Sequence, residues 1–225
     1  MLGTSIGQIL SHGVGVAISP LALVAIILLL ATPRARANAV TFAITWIVAL
    51  AAIVAVLIAI SGLVGASHHD HPATWVGWAK LVIGLAALTI AAQQARRALH
   101  PAPDSGPPAW AQNREHTTIT IITLATTLAV INPKNLTQLA AAAVTISSVT
   151  PGHGARVIAG VVFLVIASLC VTIPLAIHLF AGDRANTVLT SWKDWATRHN
   201  STIMAVLLTI LGTKSVGDAI ATLTS

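Results

Sequence analysis

The sequence predicts an all-α polytopic membrane protein: six transmembrane helices arranged as two inverted three-helix repeats. Three observations predict it. Of the 225 residues 56% are hydrophobic and 8% charged, against roughly 25% charged in a soluble domain, and mean hydropathy is +0.86. The apolar residues fall in long runs, and most of the cations lie in the short loops between them. The runs also resemble one another in the same order in the two halves.

A bilayer-crossing helix needs roughly 20 predominantly apolar residues. Such runs lie at about 12–32, 38–60, 74–95, 117–148, 157–180 and 200–222. Residues 1–12 lack the basic start of a signal peptide, and no small-residue cleavage site follows the first run, so that run is expected to be retained as the first span. The fourth run is too long for a simple span and holds an internal proline, which predicts a broken or re-entrant helix. Pro174 in the fifth run predicts a simple kink.

The cations predict orientation. Arg34, Arg36, Arg96, Arg97, Arg114, Arg184, Lys193 and Arg198 follow the first, third and fifth spans, whereas the other side holds only Arg156. The positive-inside rule then places both termini outside the cytoplasm of a plasma-membrane protein. The formal charge of +6 sets topology in this way and, with no long basic run, predicts no nucleic-acid partner.

The Pro-rich stretch "ALHPAPDSGPPAWAQNREH", residues 98–116, divides the chain into a first repeat at 1–97 and a second at 117–225. "AISPLAL" (17–23) corresponds to "VINPKNL" (130–136), "TPRARA" (32–37) to "TPGHGAR" (150–156), and "LVIGLAAL" (81–88) to "LTILGTKSVG" (208–217). A unit with an odd number of crossings must be inverted in its second copy. Inverted repeats interrupted at corresponding positions are a signature of secondary transporters, with sites near the midplane.

Proline inside a helix removes one backbone donor and clashes with the carbonyl four residues earlier. At membrane depth the freed groups are tolerated only in a protein interior or a wet cavity. Pro20 and Pro133 therefore predict two breaks facing one another, with Ser19, Asn132 and Asn135 adding uncharged donors and acceptors. Lys134 is the sharpest candidate, because a Lys at the centre of a span costs roughly 2.5–3.5 kcal/mol on translocon scales. It is expected to face the bundle interior rather than snorkel. Lys214 and Asp218 stand one helical turn apart in the last span, as a coupling pair or a structural one. Lys80, nearer a helix end, reads as a snorkelling cation or a headgroup contact. Together the lysines favour an anionic or strongly hydrogen-bonding headgroup.

Other signals carry less. "SHHDHP" (67–72) places His68, His69 and His71 together, but neighbouring histidines in a loop are more often solvated than metal-bound, so no metal is predicted. "GTSIG" (3–7) matches a nucleophile pattern without the preceding strand or the partner residues that pattern needs. The lone Cys170 rules out an intramolecular disulfide and two-cysteine redox chemistry. "DRANTVLTSWKDWATRHN" (183–200) reads as an interfacial segment on the inner leaflet, with Trp192 and Trp195 as anchors beside Trp75, Trp78 and Trp110. No cofactor is predicted.

The six-span layout, "ISPLAL" before a short basic loop, the central "INPKNL" and the late "ILGTKSVGDAI" resemble the mycobacterial GAP/Sap group, the peptidoglycolipid- and sulfolipid-addressing proteins of the LysE exporter superfamily. The resemblance covers nearly the whole chain, and Asn132–Asn135 is its most specific part. It implies a LysE-like fold, no enzymatic activity, and a role in moving cell-envelope glycolipids across the plasma membrane of an actinobacterium. The expectation is a transporter, or a component of one, for an amphiphile with a polar or anionic headgroup held by Asn132, Lys134 and Asn135. Pro20 and Pro133 would open and close that site. An exporter of small polar solutes such as amino acids is the alternative, and a non-transporting scaffold for lipid synthesis or export a third. The partners expected are membrane lipids and the lipid or amphiphile carried; a homodimer and the lipid-synthesis and export machinery are left open.

Overall fold

A computed structural model describes residues 2–65, 74–100, 117–149, 153–182 and 184–224. The histidine loop, residues 101–116 of the Pro-rich linker, and the side chains of Lys80 and Trp75 lie outside the described residues, as does Trp110. Every regular element among the described residues is helical. In chain order these are α1 (Leu2–Ala17), α2 (Pro20–Leu30), α3 (Ala35–Gly65), α4 (Thr74–Leu99), α5 (Thr118–Thr126), a π-helical turn (Thr127–Ile131), α6 (Pro133–Val149), α7 (His153–Ala167), α8 (Leu169–Phe180) and α9 (Arg184–Thr224).

The helices are apolar on both faces, which is how a membrane protein differs from a soluble bundle. In α3, Ala39, Phe42, Ala43, Trp46, Leu50 and Val54 form a buried stripe at helical spacing, and the opposite face exposes Val40, Ile44, Val48, Val56 and Ile60. Water would penalise that outer face; lipid does not. Within the stripe Phe42 and Trp46 stack with centroids 6.3 Å apart.

By length and composition two described helices can each cross a bilayer, Ala35–Ile60 and Arg184–Ala221. Three bent pairs raise the number to as many as five: Ile9–Ala17 with Pro20–Leu30, Thr118–Ile131 with Lys134–Ser147, and Gly154–Ala167 with Leu169–Phe180. The expected third span is present as helix α4 but is not among these; its length includes Lys80 and the polar end Gln93, Gln94, Arg96, Arg97.

The three bends measure 52°, 65° and 60°. Two of them follow from proline. The residue before proline is driven out of the helical region, and Ser19 and Asn132 are both extended (φ −124°, ψ 90° and φ −67°, ψ 115°). The third bend lies at Ser168 (φ −94°, ψ −2°). Pro174, expected to make the kink in this span, sits inside α8.

Two compact packing units form, residues 1–64 with 107–197 and residues 65–106 with 198–225. In the first, α1 packs along α6 and α7, and α2 packs against α8 and touches the π turn. Gly13 lets α1 approach α7, since a Cβ there would stand 3.0 Å from Ile166 Cγ2 and 3.4 Å from the Phe163 carbonyl oxygen. In the second unit α4 and the later part of α9 meet at Ala91, Met204 and Leu208. There Gly84 and Gly212 face each other, and a Cβ built on either would lie 3.0 Å from the other's carbonyl oxygen.

Helix α9 extends the expected sixth span at its N-terminal end to take in most of residues 183–200. From Arg184 onward they continue unbroken into the expected sixth span, a helix of 41 residues and therefore ~62 Å long at 1.5 Å per residue. The stretch holds no Gly or Pro to stop it, and Ala185, Leu189 and Ala196 bury one face within the first unit while Trp192 and Trp195 stay exposed.

Candidate functional site

The site is built from the backbone groups that two prolines leave without partners. The last four carbonyls of any helix lack intrahelical donors. At the end of α1 the Ile18 amide donates to the Val14 carbonyl (3.0 Å) and the Ser19 amide to that of Ala17 (2.9 Å). Residue 20, which would serve Val16, is a proline with no N–H, and Ser19 has turned away from Gly15. The carbonyls of Gly15, Val16 and Ile18 are thus left pointing at the break.

Lys134 meets all three. Its ammonium donates to the carbonyl oxygens of Gly15 (2.8 Å), Val16 (3.4 Å) and Ile18 (2.6 Å). An ammonium has three hydrogens, so its donor capacity is used in full. The partial negative charge at a helix C-terminus gives the cation its counter-charge, and the side chain is fully buried.

The second break is repaired from its own side. Pro133 likewise withholds an amide hydrogen, and the Asn135 carboxamide nitrogen donates to the carbonyls of Leu128 (3.0 Å) and Ala129 (3.3 Å). Asn132 caps α6: its Oδ1 accepts from the Lys134 amide (3.1 Å), and its backbone carbonyl accepts from the Leu136 amide (3.0 Å). The four residues of Asn-Pro-Lys-Asn therefore divide the work, in order, into capping, breaking, cross-linking and patching. The π turn before them is a rare geometry often found at functional positions.

Two further residues extend the contact, and neither stood out in the sequence. Gln138, one turn beyond Lys134 on α6, meets His12 Nδ1 through its Oε1 at 2.7 Å. A Cβ on Gly15 would stand 2.7 Å from Gln138 Nε2, so the glycine makes room for that amide. The i,i+4 spacing of Lys134 and Gln138 was the available signal, because it places both on one helix face.

At the third break, α8 packs against α2. The Ser168 carbonyl accepts from the amides of Val171 and Thr172 and from the Thr172 hydroxyl. Asn135 Oδ1 and Ser168 Oγ, like Asn200 Oδ1 elsewhere, are buried side-chain oxygens that make no hydrogen bond among the described residues.

Ser19 and Pro20 are buried at the first break, and the Ser19 hydroxyl makes no capping bond to α2. Lys214 and Asp218 lie on α9 in the second packing unit, on its exposed side; the backbone of Lys80 belongs to α4 in that unit. The described residues contain no group of three or more metal-binding side chains.

An all-helical, apolar bundle with three interrupted helices, two joined through a buried ammonium, defines a polytopic membrane protein. The sequence profile of one family, described as Sap, sulfolipid-1-addressing protein, matches residues 9–221. The chain belongs to that family. No curated protein and no solved structure matches it.

Proposed function

We propose that this protein is a transporter, or the membrane component of one, that exports a cell-envelope glycolipid or a similar amphiphile with a polar or anionic headgroup. The observation that carries the proposal is the Lys134 ammonium bridging two helix breaks inside an apolar bundle. A span with a buried cation at its break is costly to insert, and broken helices are where transporters bind polar groups. The bridged arrangement is a closed state. Opening separates α1 from α6 and frees the ammonium for an anionic headgroup, while Asn135 Oδ1 and Ser168 Oγ have capacity left to accept from sugar hydroxyls. Ser19, Pro20, Asn132 and Pro133 shape the opening, Lys214 and Asp218 brace or couple it, and Lys80 serves as a further headgroup contact. The function is non-enzymatic, with membrane lipids and the lipid-export machinery as partners.

The inverted-repeat plan belongs to the same proposal. Under a two-fold relation that pairs α1–α2 with α5–α6, a contact of α1 with α6 has as its counterpart a contact of α2 with α5 and the π turn that continues it. Contacts of α1 with α6 and of α2 with the π turn have that pattern. The reciprocal Gly84–Gly212 approach, between stretches that correspond in sequence, is what such an axis would give the third and sixth helices. The plasma membrane, with both termini outside, is the location proposed from the loop cations.

A second reading, a scaffold that does not transport, is favoured by complete burial: Lys134 and Asn135 are both 0% exposed. Deleting the gene and comparing surface-exposed with total envelope lipids separates the two. Export predicts a lipid retained inside at unchanged total, restored by the wild-type chain but not by Lys134→Met at equal membrane abundance. Restoration by both chains favours the scaffold. An unchanged lipid profile in the deletion removes the lipid reading altogether.

A further inference from the structure

The carbonyls at the end of α1 form a set of their own, whoever occupies it. Gly15, Val16 and Ile18 direct three neutral oxygens at one point, 2.8, 3.4 and 2.6 Å from the ammonium nitrogen. Rings of backbone carbonyls that replace a hydration shell are how proteins hold dehydrated monovalent cations. Unwound helix segments offer them in membrane proteins. Divalent ions call instead for carboxylates, and none of the three ligands is one. We infer that the break between α1 and α2 is a monovalent-cation site for an ion of ammonium size, such as K⁺, which the chain fills with its own Lys134.

The local chemistry agrees. Every other carbonyl of the α1 terminus, Val14 and Ala17, has a backbone donor, and the Ser19 carbonyl is taken by the Leu23 amide (3.0 Å). Only the three oxygens around Lys134 depend on a group from elsewhere in the chain. Should Lys134 leave for a headgroup, these oxygens and the negative end of α1 would face an apolar interior. A monovalent cation entering behind it keeps them neutralised, so cation entry and headgroup capture are two halves of one exchange. That use rests on the function proposed above; the cage itself does not.

The test uses the purified full-length chain, without lipid cargo, as wild type and Lys134→Ala. Thermal unfolding is followed in KCl, NH₄Cl and tetramethylammonium chloride at equal ionic strength. In the Ala variant K⁺ and NH₄⁺ are expected to raise the midpoint saturably, by about 3–6 °C at a tenfold excess over the dissociation constant. Tetramethylammonium, too large for the cage, is expected to leave it unchanged, and the wild type to respond to none of the three. Equal shifts with tetramethylammonium, or the same K⁺ shift in the wild type, overturn the inference. If Lys134→Ala does not survive extraction in tetramethylammonium, the readout becomes recovery of monodisperse protein when KCl or NH₄Cl is present throughout. Recovery by neither ion overturns it as well. A cation response with an unchanged lipid profile leaves the cage standing without the transport reading, and the reverse result does the opposite.

Discussion

Pro20 withholds an amide hydrogen from the Val16 carbonyl, and the Lys134 ammonium, from the other half of the sequence, supplies one at 3.4 Å. The two residues are complementary through a third, and neither is intelligible alone. Proline without the lysine leaves carbonyls stranded in an apolar core; lysine without the break leaves a cation there.

Their dependence is measurable. Lys134→Met removes the donor from three buried carbonyls, each worth about 1–3 kcal/mol when left unmade. After relaxation a loss of about 2–4 kcal/mol is expected. Pro20→Ala returns an N–H that reaches Val16, so the same Met substitution is expected to cost about 1 kcal/mol less in that background. Denaturant unfolding of the four proteins gives the coupling, and strict additivity contradicts the account.

At the second break the expected order is wild type, then Asn135→Leu, then Asn135→Asp. Leucine abandons the carbonyls of Leu128 and Ala129, a loss of about 1–2 kcal/mol. Aspartate sets a carboxylate oxygen against the same two oxygens, which the carboxamide nitrogen approaches to 3.0 and 3.3 Å. Unfolding midpoints in detergent rank the three. An Asp variant as stable as wild type contradicts the assignment of the nitrogen to that side.

Asn132→Ala tests the cap of α6 by itself. Loss of the Oδ1 bond to the Lys134 amide is expected to cost about 1 kcal/mol, and Asn132→Asp, which keeps an acceptor, much less. Comparing the two unfolding midpoints separates capping from bulk polarity.

Two glycines are expected to differ for a geometric reason. Alanine at Gly84 meets the Gly212 carbonyl at 3.0 Å and Val216 Cγ2 at 2.8 Å, so backbone must move, at about 1–3 kcal/mol. Alanine at Gly15 meets the end of a flexible side chain, Gln138, and is expected to cost less while breaking the His12–Gln138 bond. Thermal midpoints of the two variants decide the order.

Proline made two of the three helix breaks legible, because a missing N–H is a property of the residue type. The break at Ser168 carries no such mark. Its hydrogen bonds are ordinary and its neighbours are apolar, so Pro174, which α8 accommodates, looks the better place for a kink. That Lys134 and Asn135 are internal was legible; that their partners are backbone carbonyls of this same chain was not. Nothing in "INPKNL" says that the three orphaned oxygens lie at the end of α1, since sequence separation hides which helix ends meet. The continuity of the polar run at 184–200 with the sixth span was hidden for a related reason: its charges mark an interfacial composition and say nothing of where the helix starts.

The direction of the Lys134 bridge has a consequence for biosynthesis. All three acceptors of the ammonium precede it in the chain, so α1 leaves the ribosome first and its open end is already in the bilayer when the fourth apolar segment arrives. A lysine that would be costly to insert alone, at roughly 2.5–3.5 kcal/mol, finds its acceptors waiting. Synthesis in the opposite order, as in a circular permutant beginning at the central linker, would present the charge to the membrane before anything there could receive it.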